Sequence, residues 1–103
     1  MWAQLITMRL KPGKDAELAT LIDQLRAAEQ PNSGLVRSLA LRDQKDPQRV
    51  SFLVVFESEE RARAREEDER RQTGLDAARA TMAEIFDGAT EFVDFEVVGE
   101  TVG

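Results

Sequence analysis

The sequence predicts an α+β domain with the order strand, helix, strand, strand, helix, strand (βαββαβ) and one four-stranded antiparallel sheet. Three observations predict it. The stretch Arg49-Val50-Ser51-Phe52-Leu53-Val54-Val55-Phe56 is apolar on both faces of an extended chain, with Phe52, Val54 and Phe56 on one side and Leu53 and Val55 on the other. Apolar residues return at three- and four-residue steps over 15–29 and again over 75–86, the period of a helix that buries one stripe. Short polar connections containing proline or glycine separate these segments.

Trp2 to Leu10 reads as the first strand, with Trp2, Gln4, Ile6, Met8 and Leu10 on one face and Ala3, Leu5, Thr7 and Arg9 on the other. Lys11-Pro12-Gly13-Lys14 ends it, because proline cannot donate to a ladder. The helix over 15–29 carries the stripe Leu18, Leu21, Ile22, Leu25 and Ala28, and Asp15 and Glu17 in its first turn suit the helix dipole. After the loop Gln30-Pro31-Asn32-Ser33-Gly34, residues 35–42 form a strand with a mixed second face. The connection Asp43-Gln44-Lys45-Asp46-Pro47-Gln48 makes a hairpin of this strand and the next.

Ser58 reads as the N-cap of a charged helix that continues through Arg71. Its acid-first pairs Glu59/Arg63, Glu66/Arg70 and Glu67/Arg71 each contribute about 0.3 kcal/mol. Beyond Gly74, the stripe Leu75, Ala78, Met82, Ile85 and Phe86 returns to the core, and Asp87-Gly88 is expected to stop the helix. Phe92 to Val98 is the last strand, its charges suiting an edge. The order is the ferredoxin-like plan, with the first and third strands central and the second and fourth at the edges.

A chain of 103 residues supports one core, so residues 1–103 are expected to be a single domain. The helices cover one face of the sheet only. The even-numbered apolar face of the central strands is therefore expected to meet a second copy, giving a homodimer through the sheet face. There is no cysteine, histidine or tyrosine, which removes the commonest thiolate, imidazole and phenol chemistry and the commonest metal and haem ligands. A net charge of −6 opposes a nucleic-acid partner. No apolar run approaches the ~18 residues that cross a bilayer, and Met1-Trp2-Ala3-Gln4 lacks a basic leader, so no membrane partner and a cytoplasmic location are expected.

The run Met8-Arg9-Leu10-Lys11-Pro12-Gly13-Lys14, the turn ending Ser33-Gly34, the Asp46-Pro47 hairpin and the junction Val54-Val55-Phe56-Glu57-Ser58-Glu59-Glu60 resemble antibiotic-biosynthesis-monooxygenase-like domains of the dimeric α/β-barrel superfamily. The resemblance implies two ferredoxin-like subunits packed sheet to sheet, each with a pocket between sheet and helices. It also implies cofactor-independent oxygenation of aromatic polyketides or haem degradation as activities. This chain departs from the haem degraders: Phe56 stands where the family often has tryptophan, Arg65 near the haem-ligating histidine, and about Ile6 where they use asparagine. Haem degradation is disfavoured, and no cofactor or metal is expected.

The pocket candidates are Gln4, Ile6, Met8, Phe52, Val54, Phe56 and Arg65. The apolar members can line a site for a flat ligand or simply form the dimer core. Gln4 can orient a substrate oxygen or be a bonded structural amide. Arg65 can fix an anionic ligand over the pocket mouth or remain solvated, and Arg9, Arg37 and Arg42 are open to the same two readings. Trp2 is expected at the rim or in a dimer contact. Asp94 and Glu96 can act as a carboxylate pair or guard the sheet edge. The function these features support is a cofactor-independent monooxygenase-like protein for a small aromatic or polyketide-type molecule. The alternative is a non-catalytic homodimer that binds a small apolar or aromatic ligand or serves a structural role.

Overall fold

The computed structural model describes residues 1–103. Its elements are β1 (Trp2–Leu10), α1 (Asp15–Ala28), β2 (Leu35–Arg42), β3 (Arg49–Phe56), α2 (Glu59–Glu67), α3 (Glu69–Gly74), α4 (Asp76–Ile85) and β4 (Phe86–Glu96). The strands pair antiparallel in the order β2-β3-β1-β4, which is the ferredoxin-like sheet with β1 and β3 central. Edge and centre sort as the hydrophobicity predicts: the two strands whose apolar residues are more mixed with polar and charged ones took the outside.

Local signals position the elements. Asp43 Oδ1 accepts the amides of Lys45 and Asp46 at 2.8 and 3.2 Å, which turns the β2–β3 hairpin. Ser58 Oγ accepts the Arg61 amide at 3.1 Å and caps α2 as expected.

The single helix expected through Arg71 is broken at Asp68. This residue is extended, with φ −69° and ψ 113°, and its carboxylate accepts the Arg70 amide at 3.0 Å. An aspartate that bonds the backbone just ahead of it begins a new helix and ends the old one. The break separates the Glu66/Arg70 and Glu67/Arg71 pairs. Arg70 bonds Asp68 instead, whereas Arg63 and Glu59 meet at 3.2 Å as predicted.

The last strand also begins earlier than expected, at Phe86 rather than Phe92, and ends at Glu96. Phe86 pairs with Leu10 and Asp87 with Arg9, directly after the last helical residue, Ile85. Gly88, at φ +73°, lies beside a register shift between Thr7 and Arg9. Its left-handed backbone serves an irregularity in the strand and does not stop the helix.

The largest correction concerns the two faces of the sheet. The even-numbered residues Met8, Leu10, Val50, Phe52, Val54 and Phe56 form one core with Leu18, Leu21, Ala28, Ala62, Leu75, Ala78 and Ile85. The chain's own helices therefore cover the face assigned above to a second copy. The odd-numbered face is the open one. Across it, the register aligns Leu39, Leu53, Leu5 and Val93 in one row over all four strands, and Arg37, Val55, Ala3 and Phe95 in the next. Both faces are apolar, so alternation alone gave no side. The bulkier phenylalanine-bearing side packs under the helices, where more carbon is removed from water.

Candidate functional site

The helix-covered face brings six of the seven pocket candidates together and settles how accessible each is. Met8, Phe52, Val54 and Phe56 are buried in the core, and Ile6 packs against it. Gln4 is half-buried at the seam between β1 and β4. The candidates do not line one enclosed cavity. A hollow of about 320 Å³ lies between α1 and β2, bounded by Leu18, Ala19, Ile22, Ala40 and Val50. A second, of about 410 Å³, lies at the β1–β4 irregularity beside Arg9, Asp87 and Gly88. Met8 is the one candidate that borders either of them.

The exposed ground among the candidates is a shelf on the helix side of β1 and β4. Residues directly opposite in an antiparallel pair point to the same side, so Trp2 and Glu96, Gln4 and Asp94, and Ile6 and Phe92 share it. Phe92 is 62% exposed although its partner Ile6 belongs to the core margin. Trp2 leans on Phe56, with ring centroids 6.0 Å apart and planes tilted by 41°. The Arg63 guanidinium lies 5.2 Å from the Trp2 ring centre, a cation–π distance. Gln4 Nε2 donates to Asp94 Oδ1 at 2.9 Å. The shelf thus has an apolar floor, an aromatic wall and a polar end. Trp2 joins the candidates there as a rim residue; Phe92 and Arg63 were not among them, and Asp94 was weighed only as a pair with Glu96. Only the β1–β4 register could have placed Asp94 opposite Gln4, ninety positions away in the chain.

Arg65 is committed to structure. Its guanidinium grips Glu29, Nη2 donating to Oε1 at 2.6 Å and Nε to the same oxygen at 3.1 Å, and lies 5.2 Å from the Phe56 ring centre. Ser33 donates to the other carboxylate oxygen of Glu29. Burial pushes the Glu29 carboxyl up, but the bonds from Arg65 and Ser33 outweigh it and hold the group below its ordinary value. Arg71 is pulled below the usual guanidinium range by burial and then by the neighbouring charge of Arg65.

A carboxyl whose folded pKa is depressed stabilises the fold above its unfolded pKa of about 4.3, and that stability is lost as pH falls through the folded value. Replacing Glu29→Gln is therefore expected to cost about 1 kcal/mol at neutral pH, after discounting for solvent screening, and almost nothing near pH ~3. Urea midpoints of both proteins at the two pH values check this; an equal gap at both would refute it.

Arg65 thus turns its Nε and Nη2 to Glu29 rather than to a pocket mouth, and no cluster of three or more acids, cysteines or histidines stands ready for a metal. The residues do not fit a haem. The chain has no histidine, cysteine or tyrosine to ligate iron, and the residue nearest the expected ligand position is an arginine already paired with Glu29.

The sequence profile of the family described as antibiotic biosynthesis monooxygenase matches residues 1–77. Among solved structures, an MhuD mutant with two manganese protoporphyrin IX molecules bound per active site superposes with a TM-score of 0.81 at 20% identity, covering 100% of both chains. A candidate antibiotic biosynthesis monooxygenase from Chloroflexus aurantiacus J-10-fl gives 0.67 at 24% identity, again over 100% of both. Another from Nitrosomonas europaea gives 0.73 at 18%, covering 96% of this chain and 100% of that one. At these identities the likeness is one of fold. No curated protein sequence matches the chain.

Proposed function

The chain belongs to the antibiotic biosynthesis monooxygenase family, and from that premise we propose that it is a homodimeric, cofactor-independent oxygenase of a small aromatic or polyketide-type molecule held on the β1–β4 shelf. The observation that carries this reading is Phe92, a large ring left 62% exposed beside Ile6 on the side of the sheet where the helices elsewhere close the core. A flat apolar molecule seated there removes that ring from water and stacks toward Trp2. Gln4 and Ile6 border the seat. Met8, Phe52, Val54 and Phe56 form the buried layer beside it, and Arg65 fixes α2 over Phe56 through Glu29.

In such a reaction the substrate supplies all the electrons. One oxygen atom enters the ring, and the other leaves as water with the hydrogens removed from the substrate. The protein's share is to bind, to exclude water and to orient, which asks for no histidine, cysteine or tyrosine.

The second copy belongs on the odd-numbered face. The row Leu39, Leu53, Leu5 and Val93 is an aliphatic band across the whole sheet that no helix of its own chain covers, and a two-fold partner presents the identical band. Packing the two bands closes a dimeric α/β barrel.

One observation favours the non-catalytic reading, a dimer that only binds its ligand. Met8, Phe52 and Val54 sit in an interior filled by side chains, without an enclosed chamber around them. Mass spectrometry of small molecules retained by the purified protein, followed by oxygen uptake with each, separates the two. Retention with oxygen consumption is expected. Retention without consumption selects the binding protein, and no retained aromatic compound overturns both.

A further inference from the structure

The polar end of the shelf has a chemical preference of its own. Gln4 Nε2 donates to Asp94 Oδ1 at 2.9 Å. A carboxylate only accepts, so this bond turns the amide nitrogen toward Asp94 and leaves Gln4 Oε1, which has no intramolecular partner, facing away. Asp94 Oδ2 lies 3.6 Å from Arg63 Nη2, close enough for attraction but too far for a hydrogen bond.

Arg63 is already spoken for. It bonds Glu59 at 3.2 Å and Glu66 at 3.3 Å and covers the Trp2 ring. One guanidinium thus faces three carboxylates, and the field at this end of the shelf is negative. A ligand anion would meet that field and would have to draw Arg63 away from its partners. A neutral hydroxyl or N–H meets two open acceptors, Asp94 Oδ2 and Gln4 Oε1, one ladder step from the apolar pair Ile6 and Phe92.

We infer that Asp94, oriented by Gln4, is the specificity-determining residue of the shelf. It selects a neutral flat aromatic molecule that carries a hydroxyl or amine N–H over the carboxylate of the same ring system. The inference rests on the shelf being the ligand site. Discrimination of this kind comes from pairing a donor with a placed acceptor, because the ring itself contributes equally for every ligand that shares it.

Trp2 is the chain's single tryptophan and stands at the shelf, so its indole N–H resonance reports occupancy. Three probes, 2-naphthol, naphthalene and 2-naphthoate, are titrated at neutral pH into the wild type and into Asp94→Ala, an exposed position on an edge strand. In the wild type, 2-naphthol should bind roughly tenfold more tightly than naphthalene, with 2-naphthoate the weakest. In Asp94→Ala the affinity for 2-naphthol should fall to that for naphthalene, while naphthalene itself binds unchanged; a misfolded variant would lose both. Equal binding of 2-naphthol and 2-naphthoate, or a preference that survives Asp94→Ala, overturns the inference and leaves the shelf standing. A Trp2 resonance that none of the three probes moves overturns the shelf and the inference together.

Discussion

Replacing Gly34→Val is expected to cost about 3 kcal/mol and to lower the melting temperature by about 10–20 °C. Gly34 is buried at the entry to β2 with φ +86°, a backbone region that L side chains rarely adopt and β-branched ones least of all. Space is as restrictive as torsion. A Cβ built on Gly34 would lie 2.6 Å from Arg61 Cβ, in the first turns of α2. That atom is fixed to the helix backbone and cannot swing aside.

The turn has little freedom to adjust. The Gly34 carbonyl accepts the Glu57 amide at 2.9 Å, and Arg61 Nη2 donates to the Asn32 carbonyl. The variant must therefore displace α2 from the sheet or give up the turn. Thermal unfolding followed by circular dichroism reads the loss. A Gly34→Val melting temperature within a degree or two of the wild type would show that α2 is not held as described. Gly13 is a useful contrast, because it shares the positive φ but has open space around the position of a Cβ.

Leu5→Lys combined with Leu53→Lys is expected to turn the proposed dimer into a monomer, the solution mass falling from twice 11.6 kDa to 11.6 kDa. The two leucines face each other in the middle of the open band, so each copy would bring two ammonium groups to the centre of the apolar contact. Burying them unpaired weakens association by about a thousandfold or more. Neither residue belongs to the helix-side core, so the monomer should keep its secondary structure. Phe92→Lys, on the opposite side of the sheet, should leave the mass unchanged. Sedimentation equilibrium at micromolar concentration measures all three. A double variant that still sediments as a dimer would place the interface elsewhere.

These two expectations show where the sequence was informative. The strand order followed from β1 and β3 being largely apolar on both faces and β2 and β4 more mixed with polar and charged residues, a difference visible without coordinates. The Ser58 cap and the hairpin loop were legible because each depends on residues within a few positions of one another. The sidedness of the sheet was not. Phe52 and Leu53 are both good core residues, and only the packing of α1 and α4 decides which of them lies inside.

Asp68 and Gly88 misled for a related reason. Aspartate is tolerated inside a charged helix and also starts a new one, and glycine both stops helices and fits strand irregularities, so neither residue type carried the answer alone. The candidate site was half legible. Gln4, Ile6 and Phe56 came from the pattern of their own strands, whereas Phe92 and Asp94 needed the pairing of the first strand with the last.

The stretch from Glu59 to Gly74 hides a single residue from water, Ala62, and is otherwise tied down by arginines at its margins. Its own contribution to the hold is thus made mostly of polar ties that water can replace one at a time, although it also covers Ala28 and Phe56 on neighbouring elements. A stretch that buries so little of itself is expected to open locally at a lower free-energy cost than the central strands, whose apolar side chains are shut in the core.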